Sequence, residues 1–344
     1  MKGRGAAYNP KNRFFKEEVE WDEGFEPGTE EKVRTKFIDI FPKTIINKVP
    51  SPDVPSDFSV NPYQGCEHGC SYCYARPTHE YWGYGAGLDF ESVILVKKNA
   101  PDLLREAFNK KTWKGGSLMM SGNTDCYQPA ERKFEITRKM LQVCAEYNNP
   151  VGIITKNNLV LRDMDILAPM AEKNLAMVNI SLNTLNEDFR RKLEPRTASV
   201  EGRLRAIEEL SKAGIPVNVL MAPLILGING HEVYALMEEV AKRGATSAGY
   251  IILRLNGSLK EMFSNWLETH YPDRKDKVLH QVADAHGGQV NDNRFGTRMK
   301  GEGKLVEQIN QSYHLGKRKF FKNNELIHLT SSLFERTSKQ IRLF

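Results

Sequence analysis

Between residues 91 and 255, short apolar runs alternate with longer stretches in which apolar positions recur every three or four residues. The first kind reads as strands and the second as amphipathic helices. Strands are predicted at 91–99 (ESVILVKKN), 116–123 (GSLMMSGN), 150–157 (PVGIITKN), 176–184 (AMVNISLNT), 216–225 (PVNVLMAPLI) and 247–255 (SAGYIILRL). Helices are predicted between them at 100–110, 130–148, 161–174, 199–214 and 231–244, and a long helical stretch starts at Ser258. In 130–148, Phe134, Thr137, Leu141 and Cys144 share one face. Asn174, Gly214 and Gly244 end their helices ahead of the next strand, as residues that tolerate a left-handed backbone do. The strands are near-continuous apolar runs, the pattern expected when both faces are buried.

Strict alternation of this kind makes an α/β protein with a parallel sheet and right-handed crossovers. About six units fall short of a closed eight-unit barrel, which leaves a partial barrel or a doubly wound sheet. Both place chemistry at the C-terminal ends of the strands. A further β-like segment, DFSVNPY at 57–63, runs straight into NPYQGCEHGCSYCYARP at 61–77 and so puts Cys66, Cys70 and Cys73 at that end. Ahead of it the chain is polar and closes with KVPSPDVPSDF. The predicted organisation is an N-terminal arm at 1–55, a core at 56–256 and a C-terminal extension at 257–344.

Composition narrows the chemistry. With 40% hydrophobic and 27% charged residues the chain of 344 is globular rather than disordered. No apolar run approaches the ~18 residues that cross a bilayer, and the N-terminal stretch has no apolar signal region, so no membrane partner and a cytoplasmic location are expected. Five cysteines, an odd and small number, argue against a disulfide framework and for metal or redox chemistry. Three of them follow C-x3-C-x2-C. A structural zinc site closes with four protein ligands, yet there is no second C-x2-C, and His280 and His286 lie far along the chain; His68, between two of the cysteines, is the local alternative. A [4Fe–4S] cluster normally takes four thiolates, so three would leave one iron open.

The segment CEHGCSYCYAR, with an aromatic residue beside the last cysteine, resembles the signature of the radical S-adenosylmethionine (radical SAM) superfamily, and the resemblance runs over about residues 58–255. It implies a partial (β/α)6 barrel and a [4Fe–4S] cluster held by Cys66, Cys70 and Cys73. The open iron would be chelated by the amino and carboxylate groups of S-adenosylmethionine. It also implies that Ser121, Gly122, Asn123, Thr124 and Asp125 receive the methionine amino group and that Lys156 meets the carboxylate. Ser181 and Asn183 would face the ribose, with Arg196 just beyond, and APLILG at 222–227 would back the adenine. Without a cofactor, polar residues at such strand ends simply cap the next helix.

SGNTDCYQPAE, ITKNNLVLRDMDIL, LEPRTAS and APLILGING together resemble the spore photoproduct lyase-like branch, whose founding activity reverses a methylene-bridged thymine dimer in DNA. There, one electron from the reduced cluster, supplied by a reductant such as flavodoxin or ferredoxin, splits the sulfonium into methionine and a 5′-deoxyadenosyl radical. The radical takes a hydrogen atom from the lesion, the bridge breaks, and a hydrogen atom is returned. By its place in the fold Cys126 is the candidate hydrogen donor and Tyr127 a relay, whereas Cys144 reads as core. The chain's two extensions have no match in the lyase proper.

Two features bear on partners. Residues 294–322 hold eight Lys and Arg against Glu302 and Glu307, interleaved with Tyr313, Phe320 and Phe321, which reads as a solvated surface or a DNA-facing patch. The last residues, SKQIRLF, place Gln340, Ile341, Leu343 and Phe344 as in the pentapeptide that docks bacterial repair proteins into the sliding clamp, or as a tail tucked onto the domain. The sequence therefore predicts a radical SAM enzyme acting on a damaged or modified DNA base. Its alternatives are a radical SAM enzyme modifying RNA or a peptide, and a non-catalytic iron–sulfur redox sensor that binds DNA or the clamp.

Overall fold

Ten strands occur among the residues that the computed structural model describes, 3–14, 33–54, 56–322 and 327–336. They are β1 (Lys36–Ile40), β2 (Asn47–Lys48), β3 (Phe58–Val60), β4 (Tyr63–Gln64), β5 (Val93–Lys97), β6 (Leu118–Met120), β7 (Val151–Thr155), β8 (Ala176–Ser181), β9 (Val217–Leu224) and β10 (Ser247–Ile252). The larger sheet has the order β10-β9-β8-β7-β6-β3-β2, with every pair parallel except β2–β3. Its parallel strands thus follow one another in chain order, with no reversal. A doubly wound sheet requires a reversal; this order is that of an incomplete barrel, and it settles which of the two architectures the β/α rhythm makes.

One predicted strand belongs elsewhere. The run ESVILVKKN forms β5, which pairs in parallel with β1 and antiparallel with β4 in a separate three-stranded sheet. An apolar run reports burial, not which sheet supplies it. Its partner β1 lies in the stretch read as a polar arm, because KFIDI is an edge strand with no buried residue.

The predicted helix at 130–148 is broken at Glu135, where φ is 52°. Glu131 is the cause: its carboxylate turns inward and accepts the amides of Thr137 (3.0 Å) and Arg138 (3.3 Å), capping the helix Ile136–Glu146. The same carboxylate takes the Tyr63 hydroxyl and Arg162. Asn174, Gly214 and Gly244 do end their helices with positive φ.

The strands are not apolar on both faces. Along β7 and β8, buried residues alternate with half-buried ones, and the half-buried face carries a polar chain. Asn179 donates to the Ile153 carbonyl (2.9 Å), Asn218 to Asn179 (2.8 Å), and Ser247 to Asn218 (2.7 Å). Lys156 and Ser181, two residues further along their strands, share this face. It is the barrel interior, lined by polar groups and not packed shut.

The C-terminal extension closes the other end. Helix Lys304–Phe320 packs on helix Val233–Lys242, where a Cβ on Gly316 would fall 2.8 Å from the Met237 sulfur. Residues 327–336 then cross beneath the strands, with Thr330 donating to the Asn174 carbonyl and Glu335 to that of Tyr147, both at 3.0 Å. No helix among the described residues is long and apolar enough to cross a membrane.

Candidate cofactor site

The cysteine loop begins one residue after β4, where Gly65 and Gly69 adopt φ of 79° and 67°. A Cβ on Gly65 would lie 2.6 Å from the Val93 carbonyl, and one on Gly69 2.7 Å from the Glu91 carboxylate. Only glycine fits both the backbone and the space. Other elements then fix the loop by its main chain. Cys66 donates to the Phe90 carbonyl (2.7 Å), Ser71 to that of Leu193 (3.1 Å), and Arg196 to that of His68 (3.2 Å). Gln128 clasps it from the side, accepting from the Glu67 amide (2.9 Å) and donating to the Gly65 carbonyl (3.0 Å). Arg76 donates to the Cys70 carbonyl (2.9 Å).

Cys66 and Cys70 are buried and Cys73 half-buried. Burial foremost, then Asp125 and the other two thiols, pushes the Cys66 thiol up; burial and Glu194 do the same for Cys70. The three thiols therefore share one locale, and it is not uniformly negative. Burial works against the Lys156 ammonium, but Cys70, Glu194, Asp125 and Cys73 outweigh it and hold Lys156 above the ordinary lysine range. Glu194 is fully buried between the Tyr72 hydroxyl and Arg203 (2.5 Å). Its burial is more than offset by Arg203 and Lys156, which keep it ionised.

SGNTD ties three elements together. Ser121, at φ 79°, accepts the Cys126 amide (2.7 Å). Asn123 bonds Asn61 (2.9 Å) and Gln64 (3.0 Å), and Thr124 the Tyr63 carbonyl (2.9 Å). Asp125 accepts from Thr155 (2.8 Å) and the Lys156 amide (2.8 Å), and His68 Nδ1 lies 3.2 Å from its carboxylate. Burial disfavours this carboxylate, yet His68 and then Lys156 prevail and hold it at about 2. These side chains face protein partners. Toward the open side stands Gly122, whose carbonyl accepts from the exposed Tyr74 hydroxyl (2.6 Å).

Ser181 is buried, and its carbonyl accepts from Arg203 (2.9 Å). Arg196 pairs with Glu67 (3.0 Å). Asn183 is different: it is 1% exposed, and neither atom of its side-chain amide has a partner. An unsatisfied buried amide costs about 1–3 kcal/mol and suits a site that a polar ligand completes. Cys126 and Tyr127 are fully buried in the core. The Tyr127 hydroxyl donates to Asp163 (3.0 Å), and burial pushes the Cys126 thiol and the Tyr127 hydroxyl up.

A family model described as the radical SAM superfamily matches residues 60–240, more than half of the chain. The chain belongs to this superfamily. An uncharacterized protein of Mycobacterium tuberculosis is 32% identical over 240 residues, covering 69% of this chain and 71% of the relative. One of Methanocaldococcus jannaschii is 28% identical over 250 residues, covering 73% and 89%. Among solved structures, spore photoproduct lyase with bound AdoMet and dinucleoside spore photoproduct superposes with a TM-score of 0.60 at 17% identity, over 86% of this chain and 82% of that one.

The cofactors of this radical SAM protein are a [4Fe–4S] cluster and S-adenosylmethionine. The residues fit them. Three thiols on one rigid loop leave a cluster one position short, the Lys156 ammonium stands beside them, and the unpartnered Asn183 amide awaits hydrogen bonds. Residues that the motif alone did not indicate, Gln128, Glu194, Arg203 and Arg76, hold this frame from behind. Their signal was weak because each acts through a backbone carbonyl or a buried pair.

Asn183→Ala separates the two roles of that residue. The chain without cofactors should lose no thermal stability, since an unsatisfied amide disappears. Affinity for S-adenosylmethionine should fall about three- to tenfold, the worth of a lost hydrogen bond, as read by equilibrium dialysis on cluster-loaded protein. A marked loss of stability at unchanged affinity would make Asn183 a structural residue.

Proposed function

We propose that this radical SAM protein is a cytoplasmic enzyme acting on a damaged or modified base in DNA, as a lyase akin to spore photoproduct lyase. The observation that carries the substrate reading is the exposed Tyr74 ring beside the cysteine loop, with Arg254 in the same electrostatic neighbourhood. Tyr74 follows Cys73 directly, is 55% exposed, and lies within electrostatic reach of Cys73, Lys156 and Arg254. An aromatic face and a cation beside the reacting centre are what an unstacked base and its phosphate require. The likeness in fold to spore photoproduct lyase supports the same reading.

When bound and reduced, the cofactors supply a 5′-deoxyadenosyl radical from S-adenosylmethionine. The chain's own part is placement. Cys66, Cys70 and Cys73 would hold the cluster, with a flavodoxin- or ferredoxin-like protein as electron donor. Gly122 and its neighbours would seat the methionine amino group, Lys156 would neutralise the carboxylate, and Asn183 would orient the ribose. Effective positioning of this kind is worth several orders of magnitude in rate. Within this reading 56–256 is the catalytic core, with 1–55 and 257–344 as its arm and extension. Gln340–Phe344, which lie outside the described residues, would be a clamp-docking tail; a pull-down in which removing the last five residues changes nothing would discard that role.

The enzyme is tested anaerobically with reconstituted cluster, reductant and S-adenosylmethionine. 5′-Deoxyadenosine is quantified without nucleic acid, with intact DNA and with ultraviolet-irradiated DNA, alongside loss of thymine photoproducts. Photoproduct loss requiring both protein and cofactor supports the assignment. Cofactor cleavage indifferent to DNA, with all photoproducts intact, retains the radical chemistry and discards the DNA substrate. No cleavage under any condition is the result expected of a redox sensor.

A further inference from the structure

A six-stranded partial barrel leaves a lateral gap between its first and last parallel strands, here β3 and β10. Residues 290–300 of the C-terminal extension span it. On one side they follow β10, with Ile252 donating to the Met299 carbonyl (3.0 Å) and Leu255 to that of Val290 (2.8 Å). Lys300 donates to the Tyr250 carbonyl (3.0 Å) and stands 3.8 Å above the Tyr250 ring. On the other side they meet the turn that joins β2 to β3. Asp53 accepts from the Gly296 amide (2.8 Å) and from Arg298 Nε (2.5 Å), and Arg298 also reaches Ser51 (2.6 Å).

Two of these three contacts with the β2–β3 side run through one guanidinium, and that guanidinium lies 4.3 Å from the ring centroid of Phe295. Phe295 is 58% exposed. Arg254, at the end of β10, donates to the Asp292 carbonyl (2.9 Å) and is within electrostatic reach of Arg298, Asp53 and Tyr74. A line of an exposed ring and two cations therefore leads from the outer surface to the thiol loop. The carboxylate that Arg298 holds through Nε is its own chain's, with the other guanidinium arm on Ser51; a phosphate could engage both arms at once.

We infer that residues 290–300 form a nucleic-acid-gated strap over the lateral opening. Phe295 stacks on a base of a single-stranded or extruded segment, and Arg298 exchanges Asp53 for a backbone phosphate, releasing the strap from the β2–β3 side. This rests on the nucleic-acid reading above and adds the element that admits the strand. Base–aromatic stacking tolerates any sequence, so selectivity would lie deeper, at Tyr74 and the cofactor. The predicted basic stretch at 294–322 thus has a working part at its start, while Lys317 and Arg318 lie on the outer helix and Lys322 just past its end.

The sign of one substitution tests the exchange. Binding of a fluorescent single-stranded oligonucleotide to full-length, cluster-loaded protein would be followed by anisotropy across a salt series, with melting temperature confirming the fold of each variant. Phe295→Ala should weaken binding at least about fivefold, the lower end of one stacked base. Arg298→Gln should weaken it and reduce the salt slope by about one. Asp53→Asn should tighten it, because the carboxylate competes with phosphate for Arg298. If Asp53→Asn and Arg298→Gln weaken binding alike, the pair is a structural clasp and the inference falls. If the wild-type protein binds and Phe295→Ala binds equally well, the inference also falls while the substrate reading stands. If the wild-type protein binds no oligonucleotide, the substrate reading falls and takes the strap's role with it.

Discussion

Replacing any one of Cys66, Cys70 and Cys73 with Ala is expected to reduce cluster content and 5′-deoxyadenosine formation to background. A [4Fe–4S] cluster normally has four ligands, and this chain supplies three from one loop; with two, half of the coordination is missing. No other thiol can substitute. Cys126 and Cys144 are each fully buried in the core, and Cys144 lies on the inner face of helix Ile136–Glu146. Their Ala variants should keep iron, sulfide and turnover, at a stability cost on the order of 1 kcal/mol for a small cavity. Iron and sulfide analysis beside product formation checks all five. A Cys73→Ala protein that retains a full cluster and turnover would refute the assignment of the loop. A Cys126→Ala protein with an intact cluster but no turnover would return that thiol to the role of hydrogen donor.

The contrast between these cysteines shows what was legible in the sequence. The spacing around Cys73 is local, so the motif carries its chemistry on its face. The order of strands was nearly as clear, because β6 to β10 each follow a helix of matching periodicity. What local pattern could not show was depth. SGNTD reads as a polar strand end open to a ligand, yet Asn123, Thr124 and Asp125 turn to Gln64, Tyr63 and His68. Those partners lie 57 to 61 residues away along the chain, and nothing in the pentapeptide announces them. Cys126 and Tyr127 were placed by strand-end position, which fixes a height on the barrel but not a facing direction. The polar arm likewise gave no sign that the main-chain amides of Gly5 and Ala6 meet a buried carboxylate.

That carboxylate makes the second large prediction. Glu91 is fully buried and pairs with the equally buried Arg76 at 2.5 Å. It also accepts the amides of Gly5 (3.1 Å) and Ala6 (2.9 Å), while Arg4 donates to its main-chain carbonyl (2.7 Å). Gly5 packs so closely on the cysteine loop that a Cβ there would fall 1.7 Å from the Gly69 carbonyl. One side chain thus joins the N-terminal segment, Arg76 and the cluster loop. Glu91→Ala leaves the Arg76 guanidinium charged and without its carboxylate partner, a change that costs about 3–5 kcal/mol. For a chain of this length the melting temperature should fall by roughly 4–7 °C. Arg76 also holds the Cys70 carbonyl, so cluster retention should fall with it, and the amides of Gly5 and Ala6 should exchange faster with deuterium. The double variant Arg76→Met/Glu91→Leu should recover much of the melting temperature, because an apolar pair of similar volume removes the stranded charge. It should not recover protection at Gly5 and Ala6, whose acceptor is gone. A Glu91→Ala protein within 1 °C of the wild-type melting temperature would mean that this buried pair is not what fastens the segment to the cluster loop.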